Sequence, residues 1–264
     1  MGNVPRVLVR VETRPGDQDD DQRIGWVTVN NPDKRNALGN EGKRALTDAI
    51  AQLAADDELR AIVLTGAGET SFIGGADISE MSTFERHAST IGPTLTHRVC
   101  DAIRCAPMPV IARINGWCLG AGLEIAASCD LRIAVDSAVF GMPEVRFGLP
   151  SGMEACLLPQ LIGWGKTREL VLTGRRIDAA EALQCGLIER LAAPPELDAR
   201  LDDWLVDILA SGPLAVRAQK ALIREWEQGS IAAAVEAGIR AVAAAHGTDE
   251  PRRLMAAFLA RRGR

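Results

Sequence analysis

Apolar and polar residues follow two periodicities along this chain. Alternating positions and short apolar runs, several of them rich in β-branched residues, predict strands in the first half. These strands are expected at Arg6–Glu12, Ile24–Asn30, Ala61–Thr65, Val110–Ile114, Leu131–Val135 and Ala138–Phe140. Apolar residues at helical spacing predict a helix over Glu41–Ala54, and the small residues of Leu123–Ala127 predict a second, closely packed one. Strands that alternate with helices favour an α/β body.

Helical spacing dominates from Met153 onward. Gly, Ser or Pro residues separate four expected helices, which are Leu197–Ala210, Leu214–Gln228, Ile231–Ala245 and Pro251–Arg262. The chain is therefore predicted to consist of a mixed strand–helix core over residues 1–195 and an all-helical region over residues 196–264.

Two glycine-rich turns are the most informative features. One is Ser71–Ile78 and the other is Asn115–Glu124, and each comes after an apolar run of strand type. Backbone N–H groups at the start of a helix have no partner within the helix and can hold a negative oxygen. Either turn alone is commonly structural, but two of them together predict a pair of amide donors.

Two glutamates accompany the turns. Glu124 ends the second turn, where it can simply favour the helix dipole, yet its apolar neighbours predict an interior position that is costly for a carboxylate without partners. Glu144 follows Pro143 among apolar residues. Two acids in a poorly solvated pocket would titrate as a coupled pair, which suits general acid/base catalysis.

Charge and hydropathy narrow the classes of function. The net charge of −5 and the absence of a basic stripe argue against a nucleic-acid-binding protein. No apolar stretch is long enough to predict a membrane span, and the first residues do not resemble a secretory signal. We therefore expect a cytoplasmic protein with no membrane partner.

Cysteine and histidine spacing does not predict a metal site. No C-x-x-C pair occurs, and the cysteines are expected to be small buried residues, while the histidines are expected at the surface or as caps. The cysteines are Cys100, Cys105, Cys118, Cys129, Cys156 and Cys185, and the histidines are His87, His97 and His246.

Four ordered motifs carry a resemblance. These are Asn31–Leu38, Phe72–Ile78, Gly116–Glu124 and Phe140–Glu144, followed by Gly163–Leu170 and Leu172–Ala179. Together they resemble the enoyl-CoA hydratase/isomerase (crotonase) superfamily from about residue 24 to the C-terminus. The resemblance implies a crotonase-like spiral of ββα-type turns, with a helical C-terminal region that mediates trimerisation, often as a dimer of trimers.

The resemblance also implies site residues. The amides of Ala76 and Ala121 would form the oxyanion hole, and Glu124 and Glu144 would be catalytic. The residues implied to contact substrate or coenzyme A are Arg35, Ala37, Gly74, Gly75, Asp77, Ile78, Trp117, Leu119, Gly120 and Pro143. Phe258 and Arg261 would reach across a subunit boundary toward the adenine-phosphate end.

The implied reaction is the reversible syn hydration of a trans-2-enoyl-CoA. The two glutamates would hold and activate one water, and Glu144 would deliver the proton to the α-carbon. No metal is expected, and no cofactor apart from the coenzyme A of the substrate. The alternatives are a Δ3,Δ2-enoyl-CoA isomerase, another acyl-CoA lyase or hydrolase, or a catalytically silent CoA-binding scaffold.

The chain departs from the usual hydratase pattern at two places. Ala121 stands where many hydratases have glycine, and Gly148–Ala155 replaces the usual Pro-Gly-x-Gly-Gly-Thr loop near the acyl pocket. The loop adds a third acid, Glu154, which is expected at the surface or at the start of a helix. The natural acyl group is therefore left open.

Overall fold

The computed structural model describes residues 6–15, 22–82 and 90–262, with side chains up to residue 260. Its strands are β1 (Val7–Arg14), β2 (Gln22–Val29), β3 (Leu59–Gly66), β4 (Ser71–Ile73), β5 (Val110–Ile114), β6 (Trp117–Leu119), β7 (Leu131–Val135), β8 (Val139–Gly141), β9 (Arg176–Asp178) and β10 (Arg190–Ala192).

Its helices are α1 (Asn40–Ala54), α2 (Ile78–Met81), α3 (Ile91–Cys105), α4 (Ala121–Ser128), α5 (Leu158–Thr173), α6 (Ala179–Gln184), α7 (Leu197–Ala210), α8 (Pro213–Gln228), α9 (Ile231–Ala245) and α10 (Glu250–Arg262). Short 3-10 helices lie at Pro32–Lys34, Glu144–Phe147, Met153–Leu157 and Pro194–Glu196. The predicted α/β class is confirmed.

Two sheets organise these elements. The larger has the order β1-β2-β3-β5-β7-β10, and the smaller has the order β4-β6-β8-β9. All neighbours pair in parallel except β1 with β2 and β8 with β9. Because β4 and β6 are adjacent and parallel, the two glycine-rich turns that follow them leave the smaller sheet at the same edge.

The core is one cluster of buried apolar residues, to which both sheets and the helices that pack on them contribute. The side chains of β3 are apolar and buried for most of its length, as is usual for a parallel strand covered on both faces. Four leucines of α7, spaced four residues apart, pack into this same core, and they are Leu197, Leu201, Leu205 and Leu209. The division of the chain at residue 195 stays a prediction, and the core is continuous across it.

Most predicted elements are confirmed within two or three residues of their ends, but α3 was not predicted. Its apolar positions Leu95, Val99 and Ile103 are buried at a spacing of four, while Gly92 and Pro93 interrupt the helical pattern in its first turn. Proline is tolerated there because the first N–H groups of a helix need no intrahelical partner.

The glycine-rich turns also begin later than predicted. Ser71–Ile73 and Trp117–Leu119 are strands rather than parts of turns. A strand of three residues is too short to show a periodicity, and only its pairing with neighbouring strands defines it.

The cysteine prediction is confirmed in part. Cys100, Cys118 and Cys129 are buried, but Cys105 and Cys156 are exposed, and all described cysteines are free thiols. Among the described residues, no group of three potential ligands could hold a metal ion. In that same part of the chain, every helix is too short or too polar to cross a bilayer.

Candidate active site

The two glycine-rich turns pack backbone against backbone. A Cβ on Gly122 would lie 2.1 Å from the carbonyl oxygen of Ile73, and one on Gly75 would lie 3.3 Å from that of Leu119. Real Cβ atoms do not approach backbone oxygen as closely as the first distance, so only glycine fits at position 122. This contact brings Ala76 and Ala121 to the same edge of the smaller sheet.

The amides of Ala76 and Ala121 are free to act as donors. Leu38 accepts a hydrogen bond from the Asp77 amide and donates one to the Gly75 carbonyl, so the N–H of Ala76 faces away from Leu38. Ala121 is the first residue of α4, where N–H groups have no intrahelical partner. Within residues 22–82 and 90–262, neither amide donates to another element.

Glu124 lies in the first turn of α4 and is almost fully buried, with 2% of its surface exposed. Its Oε1 accepts a hydrogen bond of 3.1 Å from the amide of Ala155. Burial, and next the charge of Glu144, raise the pKa of Glu124 to about 8, whereas the Ala155 bond lowers it. A surface glutamate serving only the helix dipole would not be buried in this way.

Glu144 is the first residue of a 3-10 helix, and Pro143 directly precedes it. Its Oε2 accepts a hydrogen bond of 2.8 Å from the Ser151 hydroxyl. A Cβ on Gly120 would lie 2.3 Å from Glu144 Oε1, so this carboxyl group rests on the residue directly before Ala121. Burial raises the pKa of Glu144, and the Ser151 bond opposes the rise.

Glu124 and Glu144 therefore interact as a pair. Each has a raised pKa, and the charge of Glu144 contributes to the shift at Glu124. Two coupled carboxyl groups release their protons in steps that belong to the pair. Near neutral pH the pair can hold one proton, so that one carboxyl group donates while the other accepts.

Of the two placements predicted for Glu154, the structure shows the one at the start of a helix. Glu154 lies in the first turn of the 3-10 helix Met153–Leu157, but its side chain is only 9% exposed. Its Oε1 lies 2.6 Å from His97 Nδ1. His97 is exposed as predicted, but α3, which carries it, was not foreseen, so sequence spacing could not reveal this contact. His87 lies outside the described residues.

The carboxylate of Asp77 is bound by nearby groups of the protein. Its carboxylate accepts the amide of Ser79 at the start of α2 and pairs with Lys34 Nζ at 2.8 Å. The Lys34 hydrogen bond is the largest cause of the lowered pKa of Asp77. The side chain of Asp77 is therefore already engaged by groups of the protein.

Arg35 and Trp117 form a cationic patch with a residue that the sequence did not single out. The guanidinium group of Arg35 lies 5.2 Å from the Trp117 ring centroid, and that of Arg176 lies 4.9 Å from it. Arg176 reaches this place because β9 pairs with β8, where Gly141 faces Arg176. The contact between Arg176 and Trp117 thus depends on the antiparallel pairing of β8 with β9.

The remaining predicted residues lie in three places. Ala37 and Asp77 line a cavity of about 220 Å³, and Ile78 is 56% exposed at the start of α2. Gly74 packs against the Arg35 carbonyl. The α10 helix carries Phe258, which is exposed, and its Glu250 accepts two amides at the start of α8. The side chain of Arg261 lies outside the described residues.

Comparisons with known proteins agree with this geometry. Residues 19–263 match the model of the family described as enoyl-CoA hydratase/isomerase. The chain is 35% identical to a short-chain-enoyl-CoA hydratase of Clostridium acetobutylicum, over 91% of this chain and 92% of the relative. It is 33% identical to a crotonyl-CoA hydratase of Syntrophomonas wolfei, over 92% and 94% of the two chains.

The fold matches as well. The structure of an enoyl-CoA hydratase from Bacillus anthracis superposes with a TM-score of 0.91 at 29% identity, over 97% of both chains. The crotonase fold and the hydratase type of enzyme expected from the motifs are therefore confirmed. The chain belongs to the enoyl-CoA hydratase/isomerase (crotonase) superfamily, in which it is most like an enoyl-CoA hydratase.

Proposed function

We propose that this enzyme catalyses the reversible syn hydration of a trans-2-enoyl-CoA to a 3-hydroxyacyl-CoA. The observation that carries the proposal is a coupled pair of carboxyl groups beside two adjacent backbone amides, with Glu124 buried and Glu144 half-buried. Two relatives are named for short-chain and crotonyl thioesters, so we propose a short-chain enoyl thioester as the first substrate to test.

Hydration needs one ionised and one neutral carboxyl group at the same time. The raised pKa of Glu124 favours the proton on Glu124 in the free protein. A substrate water that bridges the pair can take this proton and pass one of its own to Glu144. Glu124 then accepts a proton from the water, the hydroxyl oxygen bonds to the β-carbon, and Glu144 protonates the α-carbon. The next water resets the pair.

The amides of Ala76 and Ala121 would hold the thioester oxygen as it gains negative charge. Donors of this kind stabilise the enolate-like transition state by about 3 kcal/mol each. The reaction requires no further cofactor, because coenzyme A is part of the substrate and the groups that move protons are side chains.

The coenzyme A portion would extend from the two turns across the surface near Arg35. Binding energy from this remote portion can position the acyl group for reaction. Besides the glycines of the two turns, the residues proposed to contact it are Arg35, Ala37, Asp77, Ile78 and Trp117, with Phe258 and Arg261 contributed by a neighbouring subunit. The cationic patch formed by Arg35, Arg176 and Trp117 supports this path, since the phosphates are anionic.

Incubation of the full chain with trans-2-enoyl-CoA thioesters of different length tests the proposal. We expect loss of the conjugated absorbance, and appearance of the 3-hydroxyacyl product by mass spectrometry. Conversion of a 3-enoyl thioester to a 2-enoyl thioester of the same mass, with no water added to the product, would indicate an isomerase, and release of free coenzyme A would indicate a hydrolase. Binding of acyl-CoA with no conversion at any chain length would leave a scaffold and contradict the proposal.

We expect Ser151→Ala to affect Glu144 selectively. Loss of this hydrogen bond should raise the pKa of Glu144 further, because the bond favours the ionised carboxylate. Hydrogen bonds to charged groups contribute about 1.5–3 kcal/mol, so a loss of about tenfold or more in kcat is expected. The pH dependence of kcat measures the effect. Ser211→Ala, which removes a hydroxyl bonded only to a backbone carbonyl of α7, is the control.

We also propose that the enzyme is a homotrimer or a dimer of trimers that acts in the cytoplasm. The α9 helix supports assembly, because one of its faces exposes apolar side chains in the single chain, and these are Ile231, Val235, Ile239 and Val242. Light scattering of the purified full chain should give the mass of three or six copies, and the mass of a single copy would contradict assembly.

A further inference from the structure

The segment that departs from the usual hydratase loop touches both pocket acids. The Ser151 hydroxyl donates to Glu144 Oε2 at 2.8 Å, and the Ala155 amide donates to Glu124 Oε1 at 3.1 Å. The two contacts lie four residues apart on one short stretch of backbone. Any displacement of this stretch therefore moves the hydrogen-bond partners of both carboxyl groups.

Glu154 lies between these contacts but points toward α3. Its Oε1 is 2.6 Å from Nδ1 of His97, and its side chain is 91% buried because only 9% remains exposed. Its Oε2 is buried and has no hydrogen-bond partner among the described residues. Burying a carboxylate that has too few hydrogen-bond partners costs free energy. The bond to His97 therefore offsets most of this cost.

The backbone of His97 is held in place by α3. The neighbouring α3 residues Thr96, Val99 and Cys100 are buried in the core, which fixes the helix. The imidazole itself is 60% exposed, so the bond stands at the boundary between the core and solvent. The Glu154 carboxylate accepts from Nδ1 when that nitrogen carries the hydrogen.

We propose that His97 and Glu154 form a positioning pair, which ties the short helix Met153–Leu157 to α3 and so holds the Ala155 amide against Glu124. Neither residue contacts the reacting atoms. The kinetic consequences of this inference rest on the proposed hydration.

The charge of Glu154 also affects the pKa of Glu124. Glu144 and Glu154 raise the pKa of Glu124, whereas Lys43 and the Ala155 amide lower it. The thiol of Cys100 also lies within the influence of Glu154. Glu154→Gln keeps a side chain that can bond His97 but removes the negative charge, so the pKa of Glu124 should fall.

The test measures kcat, KM and their pH dependence for the full-length variants. We expect His97→Leu to lower kcat about tenfold with little change in KM, because it removes the anchor but not the substrate contacts. His97→Gln, which can still donate to Glu154, should recover most of kcat. Glu154→Gln should keep the anchor and shift the pH limb of Glu124 down by about half a unit.

Matched control variants distinguish a positioning role of this pair from a general effect on the stability of the protein. His246→Gln and Glu69→Gln remove the same functional groups at exposed sites with no described contact to the pocket. Both should leave kcat and the pH profile unchanged. The proposal is overturned if His97→Leu retains the wild-type kcat, or if every variant changes melting temperature alone while the pH profile stays fixed.

A titration of the free protein distinguishes failure of this pair from failure of the proposed function. The midpoint of the Glu124 carboxyl ¹³C signal should rise in His97→Leu, because the Ala155 amide that lowers the pKa of Glu124 is no longer held against it, and should stay in place in His246→Gln. An unchanged midpoint in His97→Leu overturns the pair even if hydration is observed. If no enoyl-CoA is hydrated but the midpoint moves as expected, the proposed reaction fails and the pair stands.

Discussion

Glu124→Gln and Glu144→Gln should each lower kcat about 10³-fold, within the range that general acid/base groups contribute. An amide is almost isosteric with a carboxyl group but cannot exchange a proton with the substrate water. Each variant therefore stops one of the two proton transfers while keeping the shape of the pocket. Steady-state hydration of a short trans-2-enoyl-CoA measures the loss.

The same variants predict an effect on stability that depends on pH. The pKa of Glu124 is about 8 in the folded protein, against an ordinary value of 4.5 for a glutamate. The folded state thus holds more protons than the unfolded state between these values, and stability falls as pH rises through this window. Glu124→Gln removes this penalty, so its melting temperature should exceed that of the wild type more at about pH 8 than at about pH 5.

The rate and the melting temperature together distinguish a loss of catalysis from a loss of folding. A variant that loses turnover but melts at or above the wild-type temperature has lost chemistry and not folding. Glu69→Gln is the control for the loss of a glutamate, since Glu69 is exposed. A near-normal rate in Glu124→Gln or in Glu144→Gln would remove that residue from the proposed mechanism.

Gly120→Ala should lower kcat about 10²-fold or more. The backbone of Gly120 has a φ of +52°, and an added Cβ would lie 2.3 Å from Glu144 Oε1. The carboxyl group is the end of a flexible side chain, so it would yield by moving away from Ala121. A displacement of about 1 Å at a reacting group can cost about 10²-fold in rate.

The control for this substitution is Gly165→Ala in α5, where an added Cβ meets no atom within 4 Å. That variant should keep full activity and gain slightly in stability, because alanine is favoured over glycine inside a helix. Gly120→Ala itself should melt lower, since a backbone with φ of +52° and ψ of −122° is sparsely populated by alanine and costs it about 1–3 kcal/mol. Full activity in a folded Gly120→Ala protein would contradict the placement of Glu144 against Gly120.

The local elements were largely predictable. The strands β2, β3, β5 and β7 and the helix α1 have strong periodic patterns, and the structure confirms them. The α3 helix was not predicted, because glycine and proline disturb the helical pattern in its first turn. Its stability comes from burying one apolar face. Strands as short as β4 and β6 exist only through their partners in the sheet.

The site shows the same division. Glu124 was recognisable as a buried acid because its neighbours along the helix are apolar. The burial of Glu154 could not be predicted, because its neighbours in sequence say nothing about α3, which packs over it from a distant part of the chain. Arg176 joins Trp117 only through the pairing of β8 with β9. Such contacts join residues far apart in the chain, and periodicity carries no information about them.

The sequence by itself determined the residue types, the two glycine-rich turns and the order of motifs that resemble the crotonase superfamily. These properties are local, since propensity, turn chemistry and apolar spacing act over a few residues. The tertiary structure alone decided that Glu124 and Glu144 share a poorly solvated site, and that one altered segment holds both. Their pKa values depend on burial and on neighbouring charges, which arise only when parallel strands and distant helices pack together.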